Sequence, residues 1–307
     1  MSDGTGYARP PGGGAGRHDE ALAQALYALN GQRPQEAERI AGGVLKSDPR
    51  HARALHIFGC ALLLQGRAEE AVAPLESAAR GRHDPEIDTQ LAVALRRAGR
   101  VDDALHRLKL GTKRKPPYPP AFRELGNLLV FMQRFEEAAE VLRRGLAVAP
   151  LMPELSIQLG YTLLSLRRNG EAQAAFAHAL GISPASPDAL YGMAKALQEV
   201  GDNPAAEGYF RRYLITMPGD QNAWLSLGHC LLELGRLDAG FECFRTAARG
   251  DAQRYGDALT SLSAAARGRF WLKPSDATRF LRGEKASAPV SSASAPGIDD
   301  DKSRSRD

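Results

Sequence analysis

Small and bulky apolar residues recur along this chain with a period of about 34 residues. One series of small residues, spaced by 34 or 33 positions, comprises Ala37, Ala71, Ala104, Ala138, Ala172, Ala206 and Gly240. Twelve residues before each of these, from the second onward, stands another small residue: Gly59, Ala92, Gly126, Gly160, Ala194 and Gly228. A bulky apolar residue directly precedes every member of the second series, and a leucine follows three positions later. This periodicity predicts an array of internal repeats.

Each repeat is predicted to be a pair of α-helices. In the first half of each repeat the apolar positions follow i, i+3, i+4, i+7 spacing, which places them on one face of a helix, and the second half behaves similarly. The small residues let the two backbones approach closely. A leucine in place of Gly160 or Ala172 should therefore overpack the pair, at a cost of about 1–3 kcal/mol. Aromatic residues make up only 7% of the chain, which also favours helix over sheet.

Glycine and proline mark the predicted helix ends. Glycine follows four of the first helices, at Gly66, Gly99, Gly201 and Gly235, where a residue tolerant of left-handed backbone angles is expected. Proline follows most of the second helices, at Pro49, Pro116, Pro150, Pro184 and Pro218. Each repeat therefore has a predicted tight turn in its middle and a second turn at its end.

The basic and proline-rich stretch "KLGTKRKPPY", from Lys109 to Tyr118, fits the same scheme. Pro116 occupies the proline position of its repeat, and the next repeat begins on schedule at Pro119. The stretch is therefore predicted to be a helix end and a turn, with its cations near a helix C-terminus, where the helix dipole favours them. A nuclear-type basic signal or a polyproline ligand is the alternative interpretation.

The pattern resembles the tetratricopeptide repeat (TPR) family. The copy beginning at Gln221 matches that family's consensus most fully, with Trp224, Leu227, Gly228 and Phe244 in place. The resemblance implies an all-α fold, a right-handed superhelix (α-solenoid) of about seven TPR helical hairpins. The predicted repeats span approximately 18–51, 52–84, 85–118, 119–152, 153–186, 187–220 and 221–254. In the third repeat Asp88 stands where a bulky residue is expected, which predicts looser packing there.

The two ends of the chain differ from the repeats. Residues 1–17 and 284–307 are predicted to be disordered tails, because they are rich in Gly, Ser, Ala and Pro. Residues 255–283 are predicted to form a capping helix and a short terminal helix over the last repeat. Five apolar residues in this segment either fold back on the repeats or dock a partner, and the sequence leaves both open: Phe270, Trp271, Leu272, Phe280 and Leu281.

Composition narrows the classes of function. A formal net charge of +4 over 307 residues gives only weak support for a nucleic-acid or anionic-membrane surface. The start of the chain lacks the apolar segment of a secretory signal, and no run of about 18 apolar residues could span a membrane. Three cysteines without metal-ligand spacing fit a reducing compartment. We therefore expect a cytoplasmic protein, and the high Ala, Arg and Gly content is typical of a bacterial source.

No catalytic motif is evident in the sequence. The seven histidines are scattered, without a metal-binding pattern such as HExxH, and there is no nucleophile elbow, phosphate loop or nucleotide-binding fingerprint. The glycine-rich "PPGGGAG" near the start lacks the strand and the Lys-Ser/Thr pair of a phosphate loop. We therefore predict a protein that is not an enzyme and that holds no cofactor and no metal.

The resemblance to the TPR family implies a binding function. In that family, side chains of the first helices line a concave groove that takes a peptide or a partner protein. The corresponding positions here are Arg96, Arg97, Arg123, Asn127, Phe131, Gln158, Tyr161, Tyr191, Lys195, Asn222 and His229. Their mixture of cations, aromatics and amides suits a partner with acidic and apolar side chains. The carboxylate clamp for chaperone C-termini is not matched, since Asp188 and Gly192 replace its last two basic residues.

The prediction is thus a non-catalytic interaction scaffold or adaptor that binds a peptide or partner protein in the groove. One alternative is a regulatory or substrate-recruiting module of a bacterial transferase or of a secretion or assembly system. Another is RNA binding through a basic face, which would weaken steeply with salt. The sequence does not identify the partner, the pathway or the oligomeric state.

Overall fold

The computed structural model describes residues 15–80 and 84–249, together with Gly256, and all regular structure in these ranges is helical. The helices are α1 (Ala15–Asn30), α2 (Pro34–Ser47), α3 (Ala52–Leu64), α4 (Ala68–Ala79), α5 (Pro85–Arg97), α6 (Val101–Gly111), α7 (Pro119–Phe131), α8 (Phe135–Val148), α9 (Pro153–Ser165), α10 (Asn169–Ile182), α11 (Pro187–Glu199), α12 (Asn203–Thr216), α13 (Gln221–Glu233) and α14 (Leu237–Ala247). The predicted all-α class is confirmed for the described residues.

Several predictions about the chain ends concern residues that the structure does not describe. The tail predicted at 284–307, the predicted capping segment at 255–283 apart from Gly256, and the first fourteen residues lie outside the described residues. Helix α1 begins at Ala15, inside the segment predicted as an N-terminal tail. Adding one residue to an existing helix costs far less free energy than starting a new helix. The helix can therefore begin a few residues before the boundary that composition predicts.

The described residues fall into two compact units, which divide between Val200 and Gly201. In the first unit, α1 to α10 form five successive hairpins, and α11 packs on α9 and α10. The odd-numbered helices from α1 to α11 also contact one another in series, so they form one continuous wall. In the second unit, α13 packs on both α12 and α14.

The hairpins close through a small residue on the first helix and a large one on the second. A Cβ atom added to Gly160 would lie 2.6 Å from Cζ of Phe176, and one added to Gly126 would lie 2.7 Å from Cδ2 of Leu142. Phe176 is fully buried. The prediction that glycine permits close helix approach is confirmed at these positions, and the space that glycine leaves is filled by the partner helix.

The turn inside each hairpin uses a left-handed residue. Gly66, Gly99 and Gly235 fill this role, and Gly201 follows α11; all four have φ between +76° and +82°, as predicted. In three hairpins the same turn is made without glycine, by Gln32, Gln133 and Arg167 at φ 57–58°. Because left-handed angles cost energy for residues with a Cβ atom, these three turns are maintained by the packing of the helices on either side.

The stretch from Lys109 to Tyr118 is a helix end followed by a turn, as predicted. Helix α6 ends at Gly111 and α7 begins at Pro119. One of its cations also has a structural role: Arg114 forms an ion pair with Asp88, whose second partner is Arg107 at 3.3 Å. The side chain of Asp88 is only 17% exposed. Asp88, which stands where a bulky apolar residue is expected, is thus largely buried and held by two arginines.

An arginine stands at the N-cap of most second helices. These N-cap arginines are Arg33, Arg67, Arg100, Arg134, Arg168 and Arg236. The first five pair with an acid three residues later, such as Glu70 for Arg67 at 2.6 Å. Four of the six also reach an acid on a preceding helix, as Arg67 reaches Glu38 at 2.8 Å. Neighbouring helical elements are thus linked by charge as well as by apolar packing.

We expect Gly160→Ala to destabilise the protein by about 1–3 kcal/mol, because its new methyl group would overlap the buried ring of Phe176. The matched control is Gly181→Ala on α10, where no described atom lies within 4 Å of the added Cβ. Denaturant unfolding of both variants measures the difference. Equal stability of the two variants would contradict the packing argument.

We expect the stability of Arg67→Ala to fall less steeply than that of the parent protein as the pH is lowered into the acidic range. Hydrogen bonds from Gln65 and Arg67 lower the pKa of Glu38, and one from Arg67 lowers the pKa of Glu70, both from an ordinary value of 4.5. Carboxylates with a lowered folded pKa stabilise the fold above their unfolded pKa, and this stabilisation is lost as the pH falls through the folded value.

The melting temperature of Arg67→Ala should therefore lie below that of the parent at neutral pH, and the gap should shrink as the pH falls below 4.5. Thermal unfolding followed by circular dichroism across this range measures it. Arg50→Ala, which removes an exposed arginine from the turn after α2, is the control for net charge. A gap that stays constant with pH would exclude the ionic explanation.

Candidate functional site

The wall of odd-numbered helices carries two adjoining recesses. The first, the α5–α7 recess, measures about 420 Å³ and is lined by residues of α5 and α7 and by Tyr118 just before α7. The second, the α7–α11 recess, measures about 370 Å³ and is lined by α7, α9 and Asp188 at the start of α11. Arg123 and Asn127 line both recesses. The two recesses therefore form one continuous surface across four helices, which we call the inner surface.

Six of the eleven residues selected from the sequence lie together on this surface. Arg96, Arg97, Arg123 and Asn127 line the α5–α7 recess, and Gln158 and Tyr161 join the last two in the α7–α11 recess. These side chains converge because the first helices contact one another in series and each presents the same face.

The other five residues stand apart from the two recesses. Phe131 ends α7 with its side chain 62% exposed. Tyr191 and Lys195 lie on α11, where the ammonium of Lys195 donates to the side-chain oxygen of Gln198 at 2.9 Å. The remaining two, Asn222 and His229, belong to α13 of the second unit, and the ring of His229 packs edge-on against that of Phe244. None of these five lines either recess.

Three arginines make the α5–α7 recess cationic. Arg123 forms an ion pair with Glu124 at 2.9 Å, and Arg97 donates to the carbonyl oxygen of Leu63 at 3.1 Å. The guanidinium of Arg96 has no hydrogen-bond or ion-pair partner among the described residues. Since Glu124 is the one acid lining this recess, the three guanidinium groups leave a net positive charge. The recess can therefore accept an anionic side chain.

The α7–α11 recess has the opposite character. Glu154 and Asp188 line it together with Arg123, so its acids outnumber its cations. Tyr161 donates its hydroxyl to the carbonyl oxygen of Asp188 at 2.9 Å, and its ring packs edge-on against Phe176. The ring of Tyr161 is thereby fixed at the junction of α9 and α11, and it gives the recess an aromatic wall.

Sequence reasoning missed the acidic end of the inner surface. Only cations, aromatics and amides were predicted to line the groove. Glu154 and Asp188 occupy the second position of their first helices, which is also a groove position, so the repeat register could have identified them. Tyr118 was assigned to the turn, but it also lines the α5–α7 recess. Burial, with Glu86 and Asp84 nearby, raises the pKa of Tyr118, so its hydroxyl stays protonated and can donate.

The described part of the chain lacks a metal-ligand cluster, and two of its thiols are made unreactive by burial. No group of three or more His, Cys, Asp or Glu side chains within it could hold a metal ion. Burial raises the pKa of the Cys60 thiol to about 12 and that of the Cys243 thiol to about 11, so both are protonated near neutral pH and are poor nucleophiles. No helix in the described ranges is long and apolar enough to cross a membrane.

Comparison with known proteins identifies the family. The family model "Tetratricopeptide repeat" matches residues 15–87, 123–187 and 191–254, which together make up more than half of the chain. The chain belongs to the tetratricopeptide repeat family. No curated protein sequence matches it.

Solved structures share its fold. The Pseudomonas aeruginosa protein pilF is similar with a TM-score of 0.57 and 17% identity, over 74% of this chain and 99% of pilF. A tetratricopeptide repeat protein from Parabacteroides merdae is similar with a TM-score of 0.56 and 16% identity, over 80% of this chain and 98% of its own. Human IFIT1, solved as a dimer with PPP-AAAA, has a TM-score of 0.61 and 16% identity, over 87% of this chain and 69% of IFIT1. At such identities the likeness concerns the fold alone.

Proposed function

We propose that this protein is a non-catalytic interaction scaffold that binds an extended segment of a partner protein on its inner surface. The observation that carries the proposal is the junction of the two recesses at Arg123 and Asn127, with opposite charge on either side. Such a surface can distinguish peptides by the order of their charges, and not only by whether they carry charges. Membership of the tetratricopeptide repeat family supports a protein-interaction role in general terms.

The charges suggest how the partner lies. An acidic side chain would pair with Arg96 in the α5–α7 recess, where a guanidinium is free to form a charge-assisted hydrogen bond. An apolar side chain would pack against the ring of Tyr161, and a basic or amide group would meet Glu154 and Asp188. The partner segment would therefore run with its acidic end towards α5 and its basic or polar end towards α11.

The test is quantitative affinity purification with the full chain, comparing Arg96→Glu with Arg50→Glu. Both variants make the same change of charge, but Arg50 lies exposed in the turn between α2 and α3, away from both recesses. Partners of the inner surface should be lost with Arg96→Glu and retained with Arg50→Glu. Peptides from a recovered partner should then bind Arg96→Glu about 10–100-fold more weakly, the value of a charge-assisted hydrogen bond of about 1.5–3 kcal/mol.

Two outcomes would count against the proposal. Equal recovery of partners by both variants would place the binding site off the inner surface. Recovery of nucleic acid, with affinity falling steeply as salt rises, would favour RNA binding through a basic face.

A further inference from the structure

Helix α2 contains a pair of glycines that the described packing does not require. Gly42 and Gly43 lie inside a helix that runs from Pro34 to Ser47, where glycine is the poorest residue after proline. A Cβ atom on Gly42 would lie 3.5 Å from Cε2 of Phe58, an ordinary contact, and one on Gly43 would meet no described atom within 4 Å. By contrast, the glycines of the hairpin contacts leave no room for a Cβ atom.

The later second helices carry larger residues at the same place. In register with Gly42 they have Glu76, Lys109, Arg143, Ala177, Arg211 and Arg245, of which all but Ala177 are long and charged. Gly42 and Gly43 add no side chain at this place, and Phe58 of α3 is only part-buried there, whereas Leu91 of α5 and Leu125 of α7, which are in register with it, are buried. Part of α3 is thus uncovered beside the glycine pair.

The uncovered place is an open recess of about 670 Å³, which we call the α2 recess. Residues of α2, including both glycines, line it, and the part-buried ring of Phe58 from α3 adds an apolar surface. An apolar side chain from outside could therefore reach an aromatic ring at this point.

The charge around the α2 recess is positive. Glu38 lines it too, but its carboxylate accepts from Arg67 at 2.8 Å and from Gln65 at 2.7 Å, so that charge is already compensated. Arg39 and Lys46 are exposed and have no hydrogen-bond or ion-pair partner among the described residues. They are seven positions apart, about 10 Å along the helix, with Gly42 between them.

We propose that the α2 recess is a second docking surface, separate from the inner surface, and that it binds a partner-protein segment with one apolar side chain between two carboxylates. The apolar side chain packs on Phe58, and the carboxylates pair with Arg39 and Lys46. In an extended segment, alternate side chains share one face and stand about 6.6 Å apart. The pattern acid–x–apolar–x–acid then spans about 13 Å, which the long side chains of Arg39 and Lys46 can reach.

The first test needs no ligand. If the glycines keep the recess open and have no internal role, the double variant Gly42→Ala/Gly43→Ala should raise the melting temperature of the full chain by about 2–4 °C per site, from the gain in helix propensity. A lowered melting temperature would show that the glycines are needed for the packing of the chain itself, and would overturn the proposal.

The second test measures binding. The probe is an amidated heptapeptide, acetyl-Gly-Glu-Ser-Phe-Ser-Glu-Gly, added to the full chain labelled with ¹⁵N on glycine. The amide resonances of Gly42 and Gly43 should shift and saturate in the range of about 1 mM, the weak end of specific recognition. Peptides with Gln for both Glu residues, or Ser for Phe, should shift them at least about fivefold less at the same concentration, since each lacks one of the two contacts.

Variants of the protein separate the two contacts. Gly42→Gln covers Phe58 without a change of charge and should abolish the shift of Gly43 at unchanged or higher melting temperature. Arg39→Gln/Lys46→Gln removes both cations and should also abolish the shift, while the chain stays folded at a slightly lower melting temperature because Lys46 no longer interacts with the helix dipole. Arg50→Gln should leave the shift intact. Absence of a shift, or equal shifts with all three peptides, would overturn the proposal. Shifts of these amides with protein concentration alone would assign the recess to a second copy of the chain, which would also overturn it.

Discussion

The close approach of two helices at a residue with little or no side chain is the constraint on which the rest of this structure depends. At Gly160 and Gly126 the partner helix places a large side chain where even a methyl group would overlap it. The spacing and register of the two helices in such a hairpin are fixed, because the large side chain fits only beside the small residue. Successive hairpins inherit that geometry, and the first helices of the first unit consequently form one wall. The inner surface is therefore built on helices whose spacing is fixed by packing.

The serial packing of the first helices explains why groove residues far apart in sequence meet in space. Arg96 and Tyr161 belong to different hairpins, yet they line adjoining recesses that share Arg123 and Asn127. For the partner binding that we propose, this arrangement would be selective, because cations dominate towards α5 and acids towards α11. A partner with the reverse order of charges would face repulsion at both ends, which is how a shallow surface can discriminate without deep pockets.

Much of this architecture could be predicted from the sequence, because the repeat period determines which residues face one another. Helix ends at Gly66 or Pro119 and the close contact at Gly160 follow from residue type and position. Turns at Gln133 and Arg167 were less predictable, since their left-handed backbone is imposed by flanking helices that pack regardless of the turn residue. The pairing of Asp88 with Arg114 joins residues 26 apart, a long-range contact that local pattern does not encode. The acidic end of the inner surface is a different case: the register places Glu154 and Asp188 at a groove position, but the charge balance of each recess depends on which helices the fold brings together.

The N-cap arginines have a consequence for how such an array can change in evolution. A hairpin brings its own arginine, but in four cases the acid that the arginine reaches belongs to a preceding helix, at Glu38, Glu76, Glu136 or Glu207. Glu38 and Glu207 both stand 29 residues before their arginines, whereas Glu76 and Glu136 stand 24 and 32 residues before theirs. Duplicating a hairpin together with its predecessor copies both halves of a bridge, whereas exchanging single hairpins between sites of different register would leave a charge unpaired at the new junction. Tandem blocks of hairpins are thus the units that recombination could shuffle throughout this chain without an electrostatic mismatch.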